Sequence, residues 1–116
     1  MNKGIAVAGN LIVDYVKSID KYPKAGLLAN VRSISRCIGG CAGNTSCDLA
    51  MIDGTLPLVC IGRVGNDENG TYIIDLLQSK GINTNGITVS DGKPTSITDV
   101  MFDLDSGERT FFHIIA

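Results

Sequence analysis

A chain of 116 residues is the length of one domain and long enough to bury a real core. Its net charge of −2 and its 5% aromatic content without tryptophan argue against nucleic acid or an anionic membrane surface as the main partner. The balance of 44% hydrophobic to 19% charged residues is that of an ordinary soluble globular protein.

Gly4-Ile5-Ala6-Val7-Ala8-Gly9 is a near-continuous apolar run, which predicts a strand covered on both faces in a parallel sheet. The apolar stretch from Ile5 to Val13 is too short to span a bilayer. Gly9 and Asn10 interrupt it, Asp14 closes it and no small-x-small cleavage site follows, so it does not read as a signal peptide either. In open α/β sheets ligands gather at the carboxyl ends of strands, where Asn10 and Asp14 stand here. Asp14 is able to accept hydrogen bonds from two vicinal hydroxyls, and Asn10 both donates and accepts. The competing reading is that Asp14 opens a solvated turn.

Tyr15 to Asp20 is mixed in character, and Lys21-Tyr22-Pro23-Lys24-Ala25-Gly26 reads as a turn. Val31 to Cys37 reads as a strand with one wet face. Next comes Ile38-Gly39-Gly40-Cys41-Ala42-Gly43-Asn44, with three glycines in five residues. Such a stretch leaves the backbone bare to an approaching group and tolerates positive φ. Asn44 falls where a helix N-cap is expected, ahead of a helix predicted from Asn44 to Asp53. Bare backbone, an amide side chain and a helix N-terminus suit a polyhydroxylated or anionic small molecule. They equally describe a capped strand-to-helix turn, and local features leave both readings open.

The helix places Cys47, Ala50 and Met51 on one apolar face, with Gly54 at its C′ position. Leu56 to Gly62 predicts another buried strand. Gly62-Arg63-Val64-Gly65-Asn66-Asp67-Glu68-Asn69-Gly70 then reads as a tight connection to a second helix. That helix is capped by Asp67 or Asn69, carries Ile73, Ile74, Leu76 and Leu77, and stops at Lys80-Gly81. Ile87-Thr88-Val89 predicts a short strand, and Ser90 to Pro94 a turn. Ser96 to Asp103 and Arg109 to Ile115 flank a glycine-bearing loop and predict a hairpin, with Thr98, Val100 and Phe102 on one face and Ile97, Asp99 and Met101 on the other.

The four cysteines (Cys37, Cys41, Cys47 and Cys60) contain no C-x-x-C pair, and His113 is the only histidine. Reduced thiols filling small apolar spaces are expected rather than a zinc site or disulfides. His113 lies in an apolar run and reads as a packed strand residue. No G-x-x-x-x-G-K-[ST], no G-x-G-x-x-G after the first strand and no G-x-S-x-G is present. The apolar run Phe111 to Ala116 has no turn or polar tail behind it, which suggests the front part of a longer protein.

The pieces form an ordered series: Gly9-Asn10-x-x-x-Asp14, Pro23-x-x-Gly26, Gly39-Gly40-x-Ala42-Gly43-Asn44, Gly62-x-x-Gly65-x-Asp67-x-x-Gly70, Lys80-Gly81-Ile82, Thr95 and Asp105-x-Gly107-x-Arg109. Over nearly the whole chain this series resembles the N-terminal part of the PfkB, or ribokinase-like, family of carbohydrate kinases. The resemblance implies an α/β fold, a partial three-layer αβα sandwich, with a small β lid from residues near 15–20, 30–37, 96–103 and 109–115. It implies that Asp14 and Asn44 bind substrate hydroxyls, that the backbone of Gly39 and Gly40 lies against the sugar, and that Asn10 also contacts substrate. Cys41 departs from the lysine or small residue often found at its position.

The implied reaction is transfer of the ATP γ-phosphoryl group to a sugar hydroxyl with Mg²⁺, in a cytoplasmic enzyme of the fructokinase or ribokinase kind. The family's catalytic base and ATP site belong to a C-terminal part with no counterpart here, so no catalytic, cofactor or metal residue is expected in these 116 residues. They are expected to supply the sugar half-site and lid and to be inactive alone. A nucleoside kinase, suggested by Asn10 with Asp14, and a non-catalytic module dimerising through the lid strands are the alternatives. Selectivity is expected from lid side chains such as Ile97, Asp99 or Met101. Arg109 either meets an acidic sugar or is an exposed hairpin residue.

Overall fold

The computed structural model describes residues 3–116. The elements run β1 (Ile5–Ala8), β2 (Ile12–Ile19), β3 (Val31–Gly39), α1 (Cys41–Ile52), β4 (Leu58–Gly65), α2 (Glu68–Ser79), β5 (Asn83–Ser90), β6 (Ser96–Asp103) and β7 (Arg109–Ile114). They form two sheets. β1, β4 and β5 make a parallel sheet in the order β1-β4-β5, and the other four strands make a sheet in the order β3-β2-β6-β7. β2 and β6 run parallel at the centre of that second sheet, each with an antiparallel neighbour outside it. The chain therefore leaves the first sheet after β1, returns through α1, and leaves again after β5.

The two helices lie side by side on one face of the parallel sheet. The core between them gathers Leu58, Cys60, Val64, Ile73, Leu77 and Ile82, joined by Leu11 and Val13 from the base of β2. Each large aliphatic side chain fully buried there contributes roughly 2–3 kcal/mol. On the opposite face Ala6, Ala8, Ile61 and Thr88 remain open to solvent. The expectation that β1 is covered on both faces is thus corrected, since among the described residues both helices take the same side. The single apolar stretch Ile5 to Val13 is also two strands in two sheets. Gly9, Asn10 and Leu11 form the passage between them.

Helix α2 follows its sequence closely. The Asp67 side chain accepts the Gly70 amide at 2.8 Å, and Gly70, Ile73 and Leu77 form the buried stripe. Gly81, at φ 75°, lets its own amide reach the Gln78 carbonyl and the Ile82 amide reach the Leu77 carbonyl, closing the helix in a Schellman motif.

Helix α1 departs from expectation at both ends. It begins three residues early, at Cys41, with Gly40 (φ 82°) as its N-cap and no side-chain cap. The Ala42 amide is instead satisfied by the backbone carbonyl of Asn10 at 3.2 Å. Asn44 is therefore inside the first turns, not at the cap, with its amide bonded to the Gly40 carbonyl at 3.0 Å. At the other end Asp53 is extended and its carboxylate takes the Thr55 amide and hydroxyl, so Gly54 is not a left-handed terminator. The buried face is Ala42, Gly43 and Ser46, with Cys47 and Ala50 half-buried, whereas Met51 is 79% exposed. These small residues let the helix press close. A Cβ on Gly43 would sit 2.8 Å from Ile38 Cγ1.

The β6–β7 hairpin falls where expected. Asp103 accepts the Asp105 and Ser106 amides, and Gly107 takes φ 77°. β5 is longer than Ile87 to Val89 because its first half is a polar edge strand of asparagine and glycine, which carries no apolar signal. Among the cysteines, all free, Cys60 is buried and Cys47 half-buried, but Cys37 and Cys41 are exposed, so only two of the four fill interior space. Among the described residues no helix is long and apolar enough to cross a membrane.

Candidate functional site

The passage from β1 to β2, the end of β3 and the start of α1 meet in one place, and three glycines make the meeting possible. A Cβ on Gly40 would collide with the Asn10 carbonyl, and one on Gly9 with the Cys41 sulfur. A Cβ on Gly39 would lie 2.6 Å from both carboxylate oxygens of Asp14. The Asp14 carboxylate therefore rests directly over bare backbone. Asn10, Asp14, Gly39 and Gly40 are in apposition, and Asn44 stands one helical turn beyond Gly40 with an exposed side chain. The two asparagine side chains and the Asp14 carboxylate make no hydrogen bond among the described residues. Half-burial raises the Asp14 pKa above the usual carboxylate range, and the nearby His113 opposes that shift.

Strand register decides what else shares this face. Asp14 pairs with Cys37 on β3 and with Thr98 on β6, and Thr98 pairs with His113 on β7. Paired residues project to the same side of a sheet, so Cys37, Asp14, Thr98 and His113 form one row across all four strands. Two residues outward, Ser35, Val16, Val100 and Phe111 form the next row. Ile97, Asp99 and Met101 consequently lie on the opposite face, where Asp99 pairs with Lys17 at 2.9 Å. They are not beside Asp14, which corrects the expectation that they line the site.

His113 is also different from its sequence reading. It is exposed rather than packed, and its Nδ1 lies 2.6 Å from the Thr98 hydroxyl. The hairpin pattern carried the signal, but a register slip of one residue would have turned His113 to the other face. Arg109 shares the Asp14 side but sits at the far end, stacked 5.5 Å from the Phe102 ring.

The second glycine-rich segment builds a junction. Asp67 accepts the Thr95 hydroxyl (2.6 Å) and the amides of Thr95 and Gly70 (2.8 Å each), while the Thr95 oxygen accepts the Gly65 amide at 2.9 Å. Burial works against the Asp67 charge, but these hydrogen bonds outweigh it and hold the carboxyl below its usual range. Arg63, beside a cavity of about 240 Å³ that Asn10 also lines, is occupied by Ser90 Oγ and the Lys93 and Pro94 carbonyls. A groove of about 430 Å³ between Arg36 and α2 lies away from Asp14 and is framed by Arg36 stacked 4.0 Å from the Tyr72 ring. Among the described residues no three histidine, cysteine or acidic side chains approach closely enough to hold a metal ion.

A helix-backed parallel sheet from which a second, small β-sheet projects is the ribokinase-like α/β fold. The ribokinase of Arabidopsis thaliana, solved with ribose and ATP, superposes with a TM-score of 0.80 at 22% identity, over 98% of this chain and 36% of that one. The chain belongs to the pfkB family of carbohydrate kinases, whose model matches residues 2–113. It is 32% identical over 101 residues to an ATP-dependent ribose-1-phosphate kinase of Halopiger xanaduensis, covering 87% of this chain and 33% of that protein. It is 28% identical over 104 residues to fructokinase-2 of Oryza sativa subsp. japonica, covering 89% and 29% respectively. The chain thus spans about a third of the length of these relatives.

Proposed function

We propose that these residues form the acceptor-binding part and lid of an ATP-dependent sugar kinase. The observation that carries the reading is the Asp14 carboxylate, half-buried over the bare Gly39 backbone and without a protein hydrogen bond among the described residues. A buried anion left unpaired costs free energy, and two sugar hydroxyls would supply the missing donors. Asn44 and Asn10 stand ready to complete the contact from α1 and from the β1–β2 passage. The half-buried Gly40 carries no side chain, which allows a flat ring to lie close to its backbone.

Phosphoryl transfer depends on positioning and on stabilising charge as it moves. In this reading the chain contributes the first part. Asp14 orients the acceptor and the second sheet closes over it to keep water out. ATP, Mg²⁺ and the catalytic base are engaged by a further part of the enzyme. The outer strands β3 and β7 leave free edges for a second copy of the lid, which would make the kinase a homodimer.

The test is a panel of ribose, fructose, ribose 1-phosphate and nucleosides offered to the intact kinase, with ADP release as the readout. Sugar-dependent release that Asp14→Asn abolishes supports the reading. Turnover of nucleosides but of no sugar moves it to a nucleoside kinase, and sustained sugar-coupled ADP release by the 116-residue polypeptide alone sinks the division of labour.

A further inference from the structure

The row that carries Asp14 ends in a group that nothing above uses. His113 leans across the sheet toward β6, where its Nδ1 meets the Thr98 hydroxyl at 2.6 Å. Thr98 is 93% buried and cannot rotate away freely, so it holds the imidazole in place. When the threonine hydroxyl donates to Nδ1, the neutral imidazole carries its proton on Nε2, which has no hydrogen-bond partner among the described residues. Two inter-strand spacings, about 10 Å in all, separate the β2 and β7 backbones, so Asp14 and His113 stand on the two sides of Thr98. The floor between them is the small Thr98, and the next row outward, with Val16, Val100 and Phe111, closes one side with apolar surface. Asp14 offers only acceptors, so a sugar gripped there alone is held by one edge.

We propose that His113, fixed by Thr98, is a specificity-determining residue whose Nε2–H donates to a hydroxyl oxygen on the edge of the sugar remote from Asp14. This rests on the sugar-kinase reading and names the second polar wall of the same site. The ligand class it selects is a neutral polyol with hydroxyls on both edges of the ring. A sugar lacking the far hydroxyl leaves a donor unpaired and is disfavoured.

The test uses the intact kinase, the sugar it phosphorylates best and the monodeoxy analogues of that sugar. Wild type should discriminate strongly against the analogue lacking the hydroxyl that His113 reads. His113→Phe should raise KM for the parent sugar about tenfold, the weight of one buried hydrogen bond, while KM for ATP stays unchanged. It should also erase the discrimination against that one analogue. His113→Gln, which keeps a donor, should recover part of both effects, and Thr98→Val, which frees the ring, should fall between. Because His113 is exposed, the variants are expected to fold; should His113→Phe fail to, the Gln and Val variants carry the same comparison. Unchanged KM and unchanged discrimination in the variants overturn the proposal while leaving the kinase reading intact. A wild type that phosphorylates no sugar in the panel overturns both. Discrimination that shifts toward phosphorylated sugars, rather than neutral ones, also overturns it.

Discussion

At the junction of β4 and α2 the Asp67 carboxylate takes three hydrogen bonds, from Gly70 and twice from Thr95. On β2 the Asp14 carboxylate takes none among the described residues, although it too is half-buried and lies beside a glycine-rich turn. The two acids are pushed in opposite directions as a result. Asp67 is held ionised by its donors, and Asp14 is biased toward its neutral form by burial. A carboxylate whose acceptor capacity is filled by its own chain acts as a fastener. One whose capacity is left open, over backbone that admits no side chain, is placed for a partner from outside. The contrast separates two motifs that look alike as glycine-rich punctuation.

The most severe way to break this comparison is Gly39→Ala. The new methyl would sit 2.6 Å from both Asp14 oxygens and displace the carboxylate, and a shift of about 1 Å at a reacting site costs about a hundredfold in kcat/KM. Thermal unfolding should move little, because Gly39 does not require positive φ. Full activity in the variant would remove Asp14 from the site. Asp67→Ala should do the reverse. Loss of a cap and of two further hydrogen bonds costs about 3 kcal/mol in urea unfolding, with activity per folded molecule retained.

The pH dependence sharpens the contrast further. For Asp67 the folded pKa is lowered, so its stabilisation is present above the unfolded value and lost as pH falls through the folded one. For Asp14 the folded pKa is raised, so stability falls as pH rises from the unfolded value through the folded one. At neutral pH Asp67→Asn should therefore lower Tm and flatten the acid limb, whereas Asp14→Asn should raise Tm while lowering sugar affinity. A lowered Tm for Asp14→Asn would show that its carboxylate is structural after all. The smallest effect is expected at the contact between the second sheet and α2. Tyr15→Phe removes the bond from Tyr15 Oη to Asn69 Oδ1 (2.8 Å) and should cost about 1 kcal/mol in the same unfolding measurement.

Much of this architecture is legible locally. Helix α2 is written in Asp67, the Gly70-Ile73-Leu77 stripe and Gly81, and the β6–β7 hairpin in its alternation and Gly107. The ordered landmarks from Asn10 to Arg109 were enough for the family. Helix α1 was not legible at its start, because its first turn is satisfied by the Asn10 carbonyl, about thirty residues earlier in the chain, which leaves no mark in the residues around Cys41. Among the described residues β1 has helices on one face only, which its apolar run does not record, since such a run states what a strand prefers and not which faces are covered.

What the sequence determined by itself is the family, through the order of its landmarks, and elements such as α2 and the β6–β7 hairpin, since turn chemistry and hydrophobic period act within a few residues. What only the tertiary structure decided is which side chains share a face. Strand register puts Thr98 and His113 beside Asp14 and sends Ile97, Asp99 and Met101 to the other side. Register is set by long-range pairing, and a slip of a single residue would exchange the two sets.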